Sequence, residues 1–315
     1  MEALVAAFAP IWVLTAVGWL AGRTGLLGAQ AEAVLGRFVF HVSMPAALFT
    51  VVARTDLAGF ANTSMLAFAA GTLAATALGL AASRRLFGRK PAEQVVGALA
   101  AGYVNSGNLG IPVAAQVLGD ASFVAPVLLF QVLLVTPVML AVLDARTGAS
   151  AADRPGDRVR RLALLPVRNP VILGAGLGAV FSAAGWHLPG ALAHAVDLLG
   201  GAAVPTALVT LGLSLHTPPG EAAERPGRAE TAVAVLLKTL VQPLAALAFG
   251  ALVLDLPRPQ LLAVVLLSAL PTAQNVYVYA RLYGAAPALA RSSVLVSTVL
   301  SMGTLSGIAW ALGGR

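Results

Sequence analysis

Asn105, Ser106 and Asn108 stand among Gly107, Gly110 and Pro112 in one apolar run, and Pro271, Thr272, Gln274 and Asn275 break another. Their amides and hydroxyls donate and accept hydrogen bonds without carrying charge, so the chemistry they offer is recognition rather than bond making. Inside a bilayer, unwound backbone persists only where protein or a watery cavity satisfies it. Gly107 and Gly110 relax the backbone, and Pro112 suits the first turn of a new helix. In the second break Pro271 is expected to restart a helix, with Thr272, Gln274 and Asn275 in or beside its first turn. Matched breaks in the two halves of a membrane protein point to a substrate site. Two half-helix N-termini meeting near the midplane favour an anion there, most simply a carboxylate. The competing reading is a pair of kinked, packed helices whose amides satisfy one another.

Around the breaks, Tyr103, Gln131 and Tyr277 are expected to line a cavity, with packing and interhelical hydrogen bonding as the alternative. His41 is the one proton carrier on offer for coupling, against a packing role near the inner end of its span. Lys238 is expected to snorkel to the interface. No Asp or Glu falls mid-span, which weighs strongly against a sodium/proton antiporter. Catalysis is not expected: Ser106 has no histidine on an obvious partner segment, and His187, His194 and His216 sit near span ends. The chain has no cysteine and no His-Glu-x-x-His pattern, hence no disulfide or thiolate site. No metal and no cofactor are expected.

Membrane helices must position these residues. The chain is 58% hydrophobic and 10% charged, with mean hydropathy +0.86, whereas soluble domains carry about 25% charged residues. Its 32 glycines and 19 prolines are tolerated in membrane bundles. At about 20 apolar residues per span, apolar runs near 3–22, 33–53, 62–83, 93–117, 122–143, 169–185, 191–215, 231–254, 260–283 and 287–312 give ten spans. The alternation a membrane β-barrel needs is missing. A net charge of +7 does not imply nucleic acid, because the basic residues lie in short loops between spans. Glu2 precedes a long apolar run, so the N-terminus reads as a first span rather than a signal peptide.

Cytoplasmic loops attract Lys and Arg. With both termini on the non-cytoplasmic side of the cytoplasmic (inner) membrane, Arg23, Arg37, Arg84, Arg85, Arg89, Lys90, Arg281, Arg291 and the basic residues from Arg146 to Arg168 all fall inside. Residues 1–144 then form one five-helix repeat, 145–168 a cytoplasmic loop and 169–315 a second repeat. An offset of 160 residues carries Pro10 to Pro170, Gly18 to Gly178, Pro45 to Pro205 and Thr50 to Thr210. Five is odd, so the repeats are inverted, the arrangement that supports alternating access. The expected fold is an all-α polytopic membrane protein. It has ten transmembrane helices as two inverted five-helix repeats, with broken, crossing helices 4 and 9.

The run Asn105 to Pro112 on span four and Leu270 to Val276 on span nine resemble the auxin efflux carrier family, which includes plant PIN proteins and bacterial permeases for dicarboxylates such as malate or malonate. The resemblance covers essentially the whole chain. It implies that spans 1, 2, 6 and 7 form a scaffold and the others a transport domain, with substrate at the crossed breaks and a homodimer through scaffold helices. The central loop is short here, so the regulatory behaviour of the long plant loop does not carry over. The expected function is a secondary transporter moving an organic anion, a carboxylate, across the membrane by alternating access as potential-driven uniport outward. The alternatives are a sodium- or proton-coupled organic-acid symporter and, from another class, a channel or sensor. The partners are a small organic anion and the lipid bilayer, with no nucleic acid.

Overall fold

A computed structural model describes residues 2–54, 63–119, 123–147, 169–213, 215–216 and 227–312. Its helices are α1 (Glu2–Thr24), α2 (Ala31–Ala53), α3 (Thr63–Arg85), α4 (Pro91–Gly102), α5 (Ile111–Leu118), α6 (Val124–Thr147), α7 (Pro170–Ala184), α8 (Gly190–Leu213), α9 (Arg228–Leu252), α10 (Arg258–Ser268), α11 (Gln274–Leu282) and α12 (Pro287–Leu312). Six of these, α2, α3, α6, α8, α9 and α12, are long and apolar enough to cross a membrane, and α7 and α10 are shorter apolar helices. Each falls on an expected span. Helices α4 and α5 share the expected fourth span, α10 and α11 the ninth. The loop expected over 145–168 lies outside the described residues from position 148 onward, and α6 runs to Thr147.

Among the described residues, four helical stretches widen into π turns: Val39–Ser43, Ser106–Gly110, Gln131–Val135 and Leu237–Val241. Each ends two residues before a proline, at Pro45, Pro112, Pro137 and Pro243. Proline has no amide hydrogen, and its ring presses on the carbonyl four residues back. Widening the turn ahead of it relieves both problems. The π turns also carry His41, Ser106, Gln131 and Lys238, the polar residues singled out above.

Packing sorts the helices into two groups. One joins α1 to α8, α2 to α7 and α2 to α8; the other joins α3 to α4, α9 and α10, α6 to α4, and α12 to α4, α9, α10 and α11. The groups meet where α11 rests on α2 and α8, α5 on α1, and α6 on α7. Glycine sets the closest approaches in the first group. A Cβ on Gly18 would stand 2.1 Å from the Val209 carbonyl oxygen, and one on Gly178 would stand 2.7 Å from that of Phe49. The 160-residue offset carries Gly18 to Gly178 and Phe49 to Val209. The same offset thus relates the residues of the Gly18–Val209 contact to those of the Gly178–Phe49 contact. In the second group Leu99, Leu109, Leu266, Leu270 and Val276 are buried around the two breaks, while Leu73, Val138 and Trp310 face outward.

Candidate functional site

Helix α4 ends at Gly102 and α10 at Ser268, and the chain beyond each is unwound. There the two breaks cross as an antiparallel bridge between Val104 and Thr272. The Asn105 amide donates to the Pro271 carbonyl at 2.8 Å, and the Ala273 amide to the Tyr103 carbonyl at 3.1 Å. Side chains meet further backbone groups at the crossing. The Thr272 hydroxyl donates to Ala100 O at 2.7 Å, Gln131 Nε2 to Val104 O at 3.0 Å, and the Thr272 amide to Ser297 Oγ at 3.0 Å. Ser106 Oγ donates to Gln131 Oε1. These bonds give nonhelical backbone in both breaks partners within the protein, as an apolar bundle demands. From this crossing two helices set off again, the π turn Ser106–Gly110 running on into α5, and α11, each offering an N-terminus.

Asn105, Ser106, Thr272 and Gln274 are buried and Asn275 is half-buried. Gln274 Oε1 is a buried oxygen without a hydrogen-bond partner, at the first residue of α11. Gly110 sits where an added Cβ would lie 3.0 Å from Val124 Cγ1, so a larger residue would push α5 from α6. The backbones of Asn108 and Pro112 lie in the π turn and the first turn of α5; their side chains lie outside the described residues. Pro271 differs from expectation. The helix restarts at Gln274 rather than at Pro271, because Pro271 O and the Ala273 amide are committed to the bridge and Ala273 is extended (φ −70°, ψ 143°).

Three further residues are held by particular partners. Tyr103 Oη lies 2.8 Å from Thr136 Oγ1, in a buried contact between α4 and α6. Tyr277 reaches from α11 to α2, where its hydroxyl donates to Glu32 Oε1 at 2.5 Å; Arg281 Nε pairs with the same oxygen at 2.6 Å. His41 is exposed on α2, its Nδ1 3.0 Å from Arg37 O. It stands apart from the bonds that join the two breaks.

Lys238 departs from expectation most clearly. Instead of snorkelling, it is fully buried, and its Nζ donates to Gln242 Oε1 at 2.7 Å and Ser268 O at 2.9 Å. Gln242 Nε2 in turn donates to Thr72 Oγ1 at 3.1 Å and Gly102 O at 3.2 Å. Lys238 and Gln242 thus hold the last carbonyls of α10 and α4. The sequence carried a signal for this pair in the Lys238–Gln242–Pro243 spacing, since proline places a π turn under the lysine. Gly71 lets α3 close on it, a Cβ there falling 2.7 Å from Gln242 O. Among the described residues no group of His, Asp or Glu is placed to hold a metal ion.

An apolar helical bundle with its polar residues gathered at two paired, broken helices has the architecture of a membrane transport protein. The family described as membrane transport protein matches residues 3–309, and the chain belongs to it, the auxin efflux carrier family. The chain is 28% identical over 311 residues to a Rhizobium meliloti protein named "Putative malonate transporter", covering 96% of this chain and 94% of the relative. It is 30% identical over 210 residues to an uncharacterized transporter of Methanothermobacter thermautotrophicus, covering 65% and 66%. With the uncharacterized transporter YfdV of Escherichia coli K12 it shares 27% over 296 residues, covering 92% and 91%.

Proposed function

We propose that the protein is a secondary carrier for an organic anion, a carboxylate, working by alternating access in the cytoplasmic membrane with both termini on the non-cytoplasmic side. The observation that carries this reading is the Val104–Thr272 bridge, beside which the π turn Ser106–Gly110 that leads into α5, and α11, both begin. A helix N-terminus carries about half an elementary positive charge, and such ends oriented on a common volume attract a carboxylate. Asn108 and Asn275 supply uncharged donors beside it, with Asn105, Ser106 and Gln274 in support. The α1, α2, α7 and α8 group serves as scaffold, and as the surface for a homodimer, while the second group carries the substrate across.

Transport runs outward as uniport. Membrane potential supplies about 2.3 kcal/mol per charge per 100 mV, roughly fifty-fold for a monoanion. An interior-negative cell therefore drives an anion out with no coupling ion. The relative named for malonate makes short dicarboxylates the first substrates to try. Purified protein screened by thermal shift against mono-, di- and indole carboxylates, then assayed for uptake in proteoliposomes, tests the reading. A stabilising carboxylate that is also carried with saturation supports it; conductance at ion-channel rates refutes it.

A further inference from the structure

Lys238 is a buried group that the anion site leaves unused. Its side chain is fully buried, in a π turn of α9. Both of its acceptors are uncharged, and no salt bridge among the described residues includes it. A lysine so far from water is a functional candidate by default, and single π turns inside helices gather at functional sites.

The acceptors explain what it does. Ser268 O is the last carbonyl of α10, and Gly102 O, reached through Gln242, is the last carbonyl of α4. A helix C-terminus carries about half a negative charge, so two of them at one crossing concentrate roughly one elementary charge. In broken-helix carriers such ends, with nearby unwound carbonyls, are where a coupling sodium ion is held. Here Lys238 Nζ is already bonded to Ser268 O, and Gln242 Nε2 to Gly102 O. The Ser268 hydroxyl, also fully buried, has no hydrogen-bond partner. Ser268 O and Gln242 Oε1 meet the one nitrogen, and the unpartnered hydroxyl belongs to the same serine; uncharged oxygens of this kind bind a hard monovalent cation.

We propose that Lys238 is a tethered cation occupying a latent monovalent-cation site, joining the C-terminal ends of α4 and α10 and releasing the protein from any need for sodium. Only the consequence for coupling rests on the carrier reading; the site itself is testable without transport. Truncating Lys238 to alanine removes the ammonium and leaves its oxygen ligands unmet, so a small cation from solution takes its place.

The test measures thermal unfolding of purified wild type and Lys238→Ala in chloride salts of sodium, ethylammonium and N-methylglucamine, at equal ionic strength. Wild type is expected to unfold at one midpoint in all three. Lys238→Ala is expected to unfold several degrees lower in N-methylglucamine, and to recover in tens of millimolar sodium or ethylammonium. If Lys238→Ala does not fold, Lys238→Met, which keeps the stem, is read the same way. A variant that matches wild type in every salt, or is destabilised alike in all three, overturns the proposal, as does a wild type stabilised by sodium. Because no substrate is present, failure here leaves the anion carrier standing, and failure of the carrier leaves this result standing.

Discussion

The Asn105 amide donates to the Pro271 carbonyl at 2.8 Å, tying the first half of the chain to the second at the point where both are unwound. With the return bond from Ala273 to Tyr103 it makes a crossing that presents two kinds of helix end. The C-terminal ends of α4 and α10 are met by Gln242 and Lys238. The N-terminal ends of the helical stretch 106–118 and of α11 carry the opposite partial charge and are the ends proposed above for an anion.

Asn275→Ala and Asn108→Ala are each expected to weaken substrate binding by about 1–3 kcal/mol, the cost of a lost buried hydrogen bond. Flux at subsaturating substrate falls with it, while the unfolding midpoint stays near wild type. Affinity and flux measured at matched expression check this. Wild-type values in both variants would remove these residues from the site.

Thr272→Val keeps the shape of the side chain but leaves Ala100 O, now bonded at 2.7 Å, without its donor. A loss of about 1–3 kcal/mol in stability is expected, with Thr272→Ser close to wild type. Thermal unfolding of the two variants side by side reads the difference directly.

Gly18→Val drives a side chain into the Val209 carbonyl. Overpacking of this kind costs about 1–3 kcal/mol or more, and the variant is expected to lose folded yield in detergent. Gly176→Ala on α7 has nothing within 4 Å of its new Cβ and serves as the control. Equal yields of both variants would contradict the close α1–α8 crossing.

Glu32 binds Tyr277 and Arg281 across the junction of the two helix groups. Glu32→Gln weakens that clasp, so the groups separate more often at this end. The chain has no cysteine, so a single Met44→Cys, buried beside Tyr279, reports the opening. Thiol labelling in Glu32→Gln is expected to be faster than in the parent; equal rates would show that the ion pair does not restrain the junction.

Helix positions were legible because bilayer thickness and the cost of unpaired backbone leave a chain this apolar few choices. Asn105, Ser106, Thr272 and Gln274 were legible for the same reason, as polar residues that an apolar run must justify. The bridge register was not. It depends on which carbonyl of one half faces which amide of the other, and that moved the helix restart from Pro271 to Gln274. The burial of Lys238 was not legible, because its sequence position allows the amine to reach the interface; only the folded chain shows the Ser268 carbonyl of α10 within its reach. Tyr277 was expected at a cavity, and its bond to Glu32 joins residues too distant in sequence for any local pattern to show.

Carboxylate flux from preloaded proteoliposomes at clamped potassium-diffusion potentials, with sodium and pH gradients set independently, tests the central claim most directly. Flux is expected to be saturable and counterflow-competent, to carry the anion away from the negative side, to be unchanged when choline replaces sodium, and to be impaired in Asn275→Ala. Flux that ignores the potential and follows a sodium or proton gradient would contradict the claim.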